Sequence, residues 1–213
     1  MNFIRLKKYK PIFILFTFWV IILSVFQIIV VSRFQVKGPD YSLPWTVKYT
    51  KEIGSFETKP FLKRLIDTKF AYDSTYYYSI ARYGYDDINV ASTRTPENQV
   101  ISANYAFYPV FPLLVRIVSF ILSPIIPFDF SRFIFSGVII NIISSLIGSI
   151  SLYEISKIFS NKNTSLQTVY FFLIFPTSFF LLQFYSEGLF IGLTFLSILL
   201  IYKEKYYLSI PFI

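Results

Sequence analysis

The sequence predicts an all-α fold: a polytopic bundle of membrane-spanning helices with a large first external loop that contains short amphipathic helices. Three observations predict it. Hydrophobic residues make up 54% of the chain and aromatic residues 21%, against 15% charged, whereas soluble domains run near 45–50% apolar and about 25% charged. Uncharged stretches of about 20 residues recur, the length a helix needs to cross a bilayer core of roughly 30 Å. The Lys and Arg residues cluster beside those stretches, which gives the net charge of +8 the character of orientation anchors for anionic headgroups and not of a nucleic-acid surface.

The first stretch runs without a charge from Pro11 to Val31, behind Arg5, Lys7, Lys8 and Lys10. It is about 31 Å of helix and no small-residue cleavage site follows, so it reads as a retained anchor (residues 11–31) with its basic end cytoplasmic. Residues 32–104 hold most of the charges together with Gly38, Pro39, Pro44, Gly54 and Pro60, and read as the external loop. Within it, Pro60 to Asp67 and Tyr72 to Tyr83 have the pattern of short amphipathic helices, with tyrosine-rich faces suited to the membrane–water interface. Residues 105–128 carry Pro109, Pro112, Pro124, Pro127 and Arg116 and read as a proline-broken segment, tolerable at membrane depth only where protein or water satisfies the freed backbone groups. Further spans are expected over 133–153, 166–184 (with Pro176 near its middle) and 188–202, and residues 206–213 open another.

Topology is open between two arrangements. If every run from Tyr105 onward crosses, Lys157 with Lys162 and Lys203 with Lys205 fall outside, against the positive-inside tendency. If 105–128 returns to its starting side, both pairs fall inside and Tyr185 to Gly188 lies outside, and this second arrangement is preferred. The sequon Asn163-Thr164-Ser165 is then cytoplasmic.

With no Cys and no His, thiolate nucleophiles, imidazole bases and the commonest transition-metal ligands are absent, so acid–base chemistry falls to Asp, Glu, Tyr or Lys. No phosphate-binding glycine loop, nucleophile elbow or metal-spacing cluster occurs. Ionisable residues set in or against membrane are functional candidates by their cost. Asp73 reads either as a helix N-cap or as a carboxylate among aromatic rings that accepts a proton from an attacking hydroxyl. Glu187 reads as a turn residue or a first-turn charge favouring the helix from Gly188, or as part of a site. Arg116, among Leu113, Leu114, Val115, Ile117 and Val118, is a snorkelling arginine or a bidentate phosphate ligand.

Tyr72-Asp73, Tyr77, Ile80-Ala81 and Gly84-Tyr85 resemble the Trp-Asp-x-x-x-Tyr-x-x-Ile-Ala-x-x-Gly-Tyr element of the PIG-V family of membrane mannosyltransferases, the GPI mannosyltransferase II type with its prokaryotic relatives. Ala106 to Arg116 is similar to that family's Ala-Phe-Phe-Pro-Leu-Tyr-Pro-Leu-Leu-x-Arg, and Phe175-Pro176 followed by Tyr185-Ser186-Glu187 resembles its later Asn-Pro and Tyr-Ser-Glu-Ser-Leu-Phe pair. The three elements fall in order over residues 70–205. Tyr72 stands where the family has Trp, Phe175 where it has Asn and Gly188 where it has Ser.

The resemblance implies a GT-C-like fold and a mannosyltransferase that uses a polyprenyl- or dolichyl-phosphate sugar as donor, with no cofactor and no metal. The acceptor it implies is a hydroxyl of a membrane-associated glycan or glycolipid. Asp73 carries over as the catalytic base. Arg116, Tyr77 and Tyr108 are then expected to contact the donor and its phosphate, with Tyr72, Tyr85, Tyr185, Ser186 and Glu187 in support. Family members are roughly twice as long, so the chain is expected to be the N-terminal half of a larger membrane domain. It would be multi-pass in the cell membrane of a prokaryote or the endoplasmic reticulum of a eukaryote, its partners the bilayer, donor and acceptor, with no nucleic acid. The rival readings are a transporter or channel subunit, which broken helices and membrane charges also mark, and a non-catalytic fragment.

Overall fold

The structure, a computed structural model, describes residues 7–33, 65, 68–70, 72–87, 90, 92–94 and 98–210. The expected amphipathic helix over 60–67 lies outside them, apart from Leu65. The described chain is predominantly helical. α1 spans Lys10–Arg33, α2 Ser74–Tyr83, α3 Val110–Leu122, α4 Asp129–Phe159, α5 Lys162–Ile174, α6 Glu187–Tyr202 and α7 Tyr206–Ser209. The all-α expectation misses one feature, a two-stranded antiparallel ribbon of β1 (Ser92–Arg94) and β2 (Val100–Ser102). Strands of three residues are too short to leave a period-two pattern.

Among the described residues, two helices are long and apolar enough to cross a membrane: Lys10–Val30 within α1, 21 residues, and α4, 31 residues. At 1.5 Å per residue these reach about 31 and 46 Å. α1 leaves Ile14, Phe18, Ile22, Val25, Phe26 and Ile29 exposed, an apolar surface that hydrocarbon accommodates and water does not. α4 begins and ends outside the expected 133–153 because its terminal charges are compensated. Asp129 in its first turn meets Arg132 at 2.5 Å, and Glu154 meets Lys8 at 2.7 Å.

Residues 166–184 do not form one straight span. α5 ends at Ile174 and a 3₁₀ segment, Pro176–Leu182, leaves it at 79°. Pro176 has no N–H to continue the ladder and forces its predecessor out of the helical region; Phe175 accordingly has ψ 137°. The prolines of 105–128 border α3 more than they break it: Pro109 precedes its first residue, Pro112 sits in its first turn, and Pro124 and Pro127 follow its end. α3 is 13 residues long, about 20 Å.

The described residues fall into two compact units. One draws on Met1–Phe26, Ile140–Leu182 and Ser186–Ile213, the other on Gln27–Ile139 and Gln183–Tyr185. In the first, Ile12, Phe16 and Trp19 of α1 form a core with Tyr153, Val169, Leu173, Leu181 and Leu182, and the Trp19 indole donates to Ser178 Oγ at 3.2 Å. There α4 and α6 approach backbone to backbone. A Cβ at Gly192 would stand 2.3 Å from Ser144 O, and one at Gly188 2.7 Å from Asn141 Oδ1. Gly188-x-x-x-Gly192 is the small-residue spacing by which apolar helices pack closely without a hydrophobic driving force. Asn141 Oδ1 accepts from the backbone N–H of Leu189 at 3.2 Å across this contact.

The second unit is built on aromatic rings. Phe184 is fully buried against Phe70 and Phe111, over a glycine, Gly137, whose missing Cβ would otherwise lie 2.4 Å from the ring. Phe70, Tyr78, Phe130 and Phe133 continue the cluster edge to face.

Candidate active site

α2 carries the sequence element around Asp73, and the second unit fixes both of its ends. At the start, Ser74 Oγ donates to Phe184 O at 3.0 Å, while Phe184 N donates to Lys69 O at 3.1 Å. At the end, Gly84 supplies a positive φ of 93° and its N–H bonds to Ile80 O. Arg116 reaches across from α3, donating from Nε to Ala81 O at 2.6 Å and from Nη2 to Ile80 O at 3.2 Å.

Asp73 does not do what a capping residue does. It has φ −60° and ψ −19°, helical and not the extended geometry of an N-cap, and its side chain makes no capping hydrogen bond. Its backbone oxygen accepts from Tyr76 and Tyr77 N–H, so the first turn is closed by main chain and the carboxylate is left exposed. This overturns the capping interpretation. Desolvation nevertheless raises the pKa of Asp73 above the ordinary 3.8, against the pull of the helix N-terminus toward the charged form. The residue before it, Tyr72, has φ 46°, a left-handed conformation that costs a bulky side chain of order 1–3 kcal/mol and concentrates at functional turns. Its ring is exposed.

The other expected residues divide. Tyr77 is buried, its ring edge-on to Phe107 and Phe111 at 5.1 Å each, which gives it a packing role. Tyr108 is 87% exposed at the turn before α3. Tyr85 donates its hydroxyl to Phe107 O at 2.9 Å, tying the end of α2 to the same turn, and burial raises its pKa. Tyr185 is buried. Arg116 spends two of its three guanidinium nitrogens on the carbonyls of α2, so it caps that helix, a role the expectation of a bidentate phosphate ligand did not include.

Ser186 and Glu187 belong to the other unit. Glu187 opens α6, where its charge favours the helix N-terminus. It is also the carboxylate on the wall of a cavity of about 490 Å³ at the bend after α5, lined by Phe171, Phe172, Phe175, Phe180 and Ile191 with Thr177 and Ser178.

Sequence reasoning missed two polar clusters of the second unit. Asn104, fully buried, donates from Nδ2 to Ser79 Oγ at 2.9 Å, and Ser79 in turn donates to the buried Asp87 at 2.8 Å. Arg82 donates to the Tyr78 hydroxyl and meets Asp129 at 2.8 Å. Arg132, already paired with Asp129, also donates to Ser119 Oγ and Ile126 O. Only the i,i+3 spacing of Asp129 and Arg132 signalled any of this.

No family model matches the chain, and neither the curated proteins nor the solved structures contain a match.

Proposed function

We propose that the chain is a multi-pass membrane glycosyltransferase of GT-C type. In this reading it moves a mannose-type sugar from a polyprenyl-phosphate donor to a hydroxyl of a membrane-associated glycan or glycolipid. Support comes from two helices that can cross a bilayer and from the ordered sequence elements around Asp73, Arg116 and Glu187. The observation that carries the proposal is the state of Asp73: exposed, unused as a cap, raised in pKa, and presented behind a strained left-handed residue.

In the proposed step the acceptor oxygen bonds to the anomeric carbon and the carbon–oxygen bond to the phosphate breaks. The acceptor proton passes to Asp73, and polyprenyl phosphate departs with the bonding pair, inverting the anomeric centre. A carboxyl whose pKa is raised toward working pH is a better base for this than a fully solvated one. A polyprenyl phosphate leaves readily once its charge is balanced, so orientation and electrostatics supply most of the remaining rate. The 20 Å reach of α3 favours the arrangement in which 105–128 returns to its starting side and leaves the loop with Asp73 external.

The second reading, a transporter or channel subunit, has the 79° break after α5 and its Glu187-bearing cavity in its favour. The full chain in proteoliposomes separates the two. Transfer of labelled mannose from polyprenyl-phosphate mannose to a glycolipid acceptor, without flux of entrapped solute, is expected. Flux without transfer would reverse the assignment.

A further inference from the structure

Among the described residues, Lys69 is a cation with no carboxylate partner. It is partly buried, and the ion pairs among those residues are Lys8 with Glu154 and Asp129 with Arg82 and Arg132. Its main chain is held firmly. Its carbonyl accepts from Phe184 N, the preceding Thr68 hydroxyl donates to Leu65 O at 2.6 Å, and the following Phe70 is buried among Tyr78, Phe130 and Phe184. Burial alone lowers its pKa to about 8. A lone ammonium in such surroundings is costly, and buried charges are ordinarily paired or coordinated.

Lys69 also lies four residues before Asp73, so their Cα atoms are at most about 14 Å apart. Yet neither relieves the other: no ion pair joins them among the described residues, and burial shifts Lys69 downward and Asp73 upward, where an ion pair would drive each the opposite way. Base and cation therefore share one short segment and stay unpaired, an arrangement that suits a substrate with an anionic group for one and an acidic proton for the other. The arginines near α2 are committed elsewhere, Arg116 to the carbonyls of Ala81 and Ile80 and Arg82 and Arg132 to Asp129.

We propose that Lys69 is the residue that receives the phosphate of a lipid-borne substrate. This rests on the transferase reading for the phosphate's role as leaving group, but the binding itself does not require that reading. The full chain in phosphatidylcholine nanodiscs is titrated with farnesyl phosphate, with farnesol, and with inorganic phosphate, for wild type, Lys69→Gln and Lys69→Arg. Thermal unfolding of each variant verifies the fold.

Wild type is expected to bind farnesyl phosphate well above farnesol. Lys69→Gln should lose on the order of tenfold to a hundredfold in affinity for farnesyl phosphate, the scale of a hydrogen bond to a charged group, with farnesol unchanged. Lys69→Arg should restore most of the affinity, which a purely structural lysine would not require. Unchanged farnesyl phosphate binding by a folded Lys69→Gln overturns the proposal. Equal, Lys69-dependent binding of inorganic phosphate overturns its lipid-borne part. A wild type that transfers no sugar but keeps Lys69-dependent phosphate binding sinks the transferase reading alone.

Discussion

The contact between α4 and α6 makes the sharpest packing prediction. At Gly192 even an alanine Cβ would stand 2.3 Å from Ser144 O and 2.8 Å from Ser144 C. Ordinary van der Waals separation there is nearer 3.5 Å, so the helices must part by about 1 Å, and the obstructing atoms are backbone that no rotamer change can move aside. Forced overpacking costs about 1–3 kcal/mol, and the immobile partner puts Gly192→Ala at the upper end. Separation also lengthens the Leu189 N–H to Asn141 contact, already 3.2 Å. Gly188→Ala meets the side chain of Asn141 instead and should cost less. Ser145→Ala, which removes a buried hydroxyl without a hydrogen-bond partner, should be neutral or slightly stabilising. Thermal unfolding in detergent, followed by far-ultraviolet circular dichroism, reads the series. A chain of this size loses roughly 2–4 °C per kcal/mol, so Gly192→Ala should fall by roughly 6–12 °C. A Gly192→Ala protein that melts with the wild type, or above Gly188→Ala, would refute the close helix contact.

Three further outcomes follow from particular contacts. Ser178→Ala leaves the indole N–H of Trp19 buried without its acceptor, at a cost of about 1–3 kcal/mol, measurable as a lower melting temperature with altered Trp19 fluorescence in a Trp45→Phe background. Arg116→Lys, which keeps the charge but loses the planar fork, should speed amide exchange in the last turn of α2 specifically; uniform exchange across α2 and α4 would remove Arg116 from its capping role. In the proposed transfer, the acidic limb of the rate should lie above pH 3.8, the ordinary value from which Asp73 is raised, because a carboxyl accepts a proton only when ionised. In stability the sign is opposite. The folded carboxyl holds its proton to higher pH than the unfolded chain does, so wild type loses stability as pH rises through that window, and Asp73→Asn does not.

What was legible in the sequence tracks how local its cause was. The uncharged run from Pro11 to Val31 gave α1 to within a few residues, because length and composition decide it. In the sequence Arg132 and Glu154 bound α4 too tightly, since the pairing that makes those charges tolerable, Arg132 with Asp129 and Glu154 with Lys8, is visible only in three dimensions. Pro176 announced a break that the apolar composition around it concealed. Gly188-x-x-x-Gly192 was present and readable as a packing face, but scattered glycines do not reveal which helix they meet. Whether Asp73 caps α2 depends on its own ψ, which no residue spacing encodes. The link from Asn104 to Ser79 joins residues 25 apart, through a turn whose course the sequence does not state.

In the proposed transfer the Asp73 carboxylate takes the acceptor proton. That step is tested most directly by the rate of mannose transfer from polyprenyl-phosphate mannose by wild type and Asp73→Asn, side by side in the full chain reconstituted in liposomes. The substitution is nearly isosteric and removes no capping bond, so Asp73→Asn should insert and melt like wild type while transfer falls by on the order of a hundredfold or more. Transfer by Asp73→Asn within a few-fold of wild type would rule Asp73 out as the base.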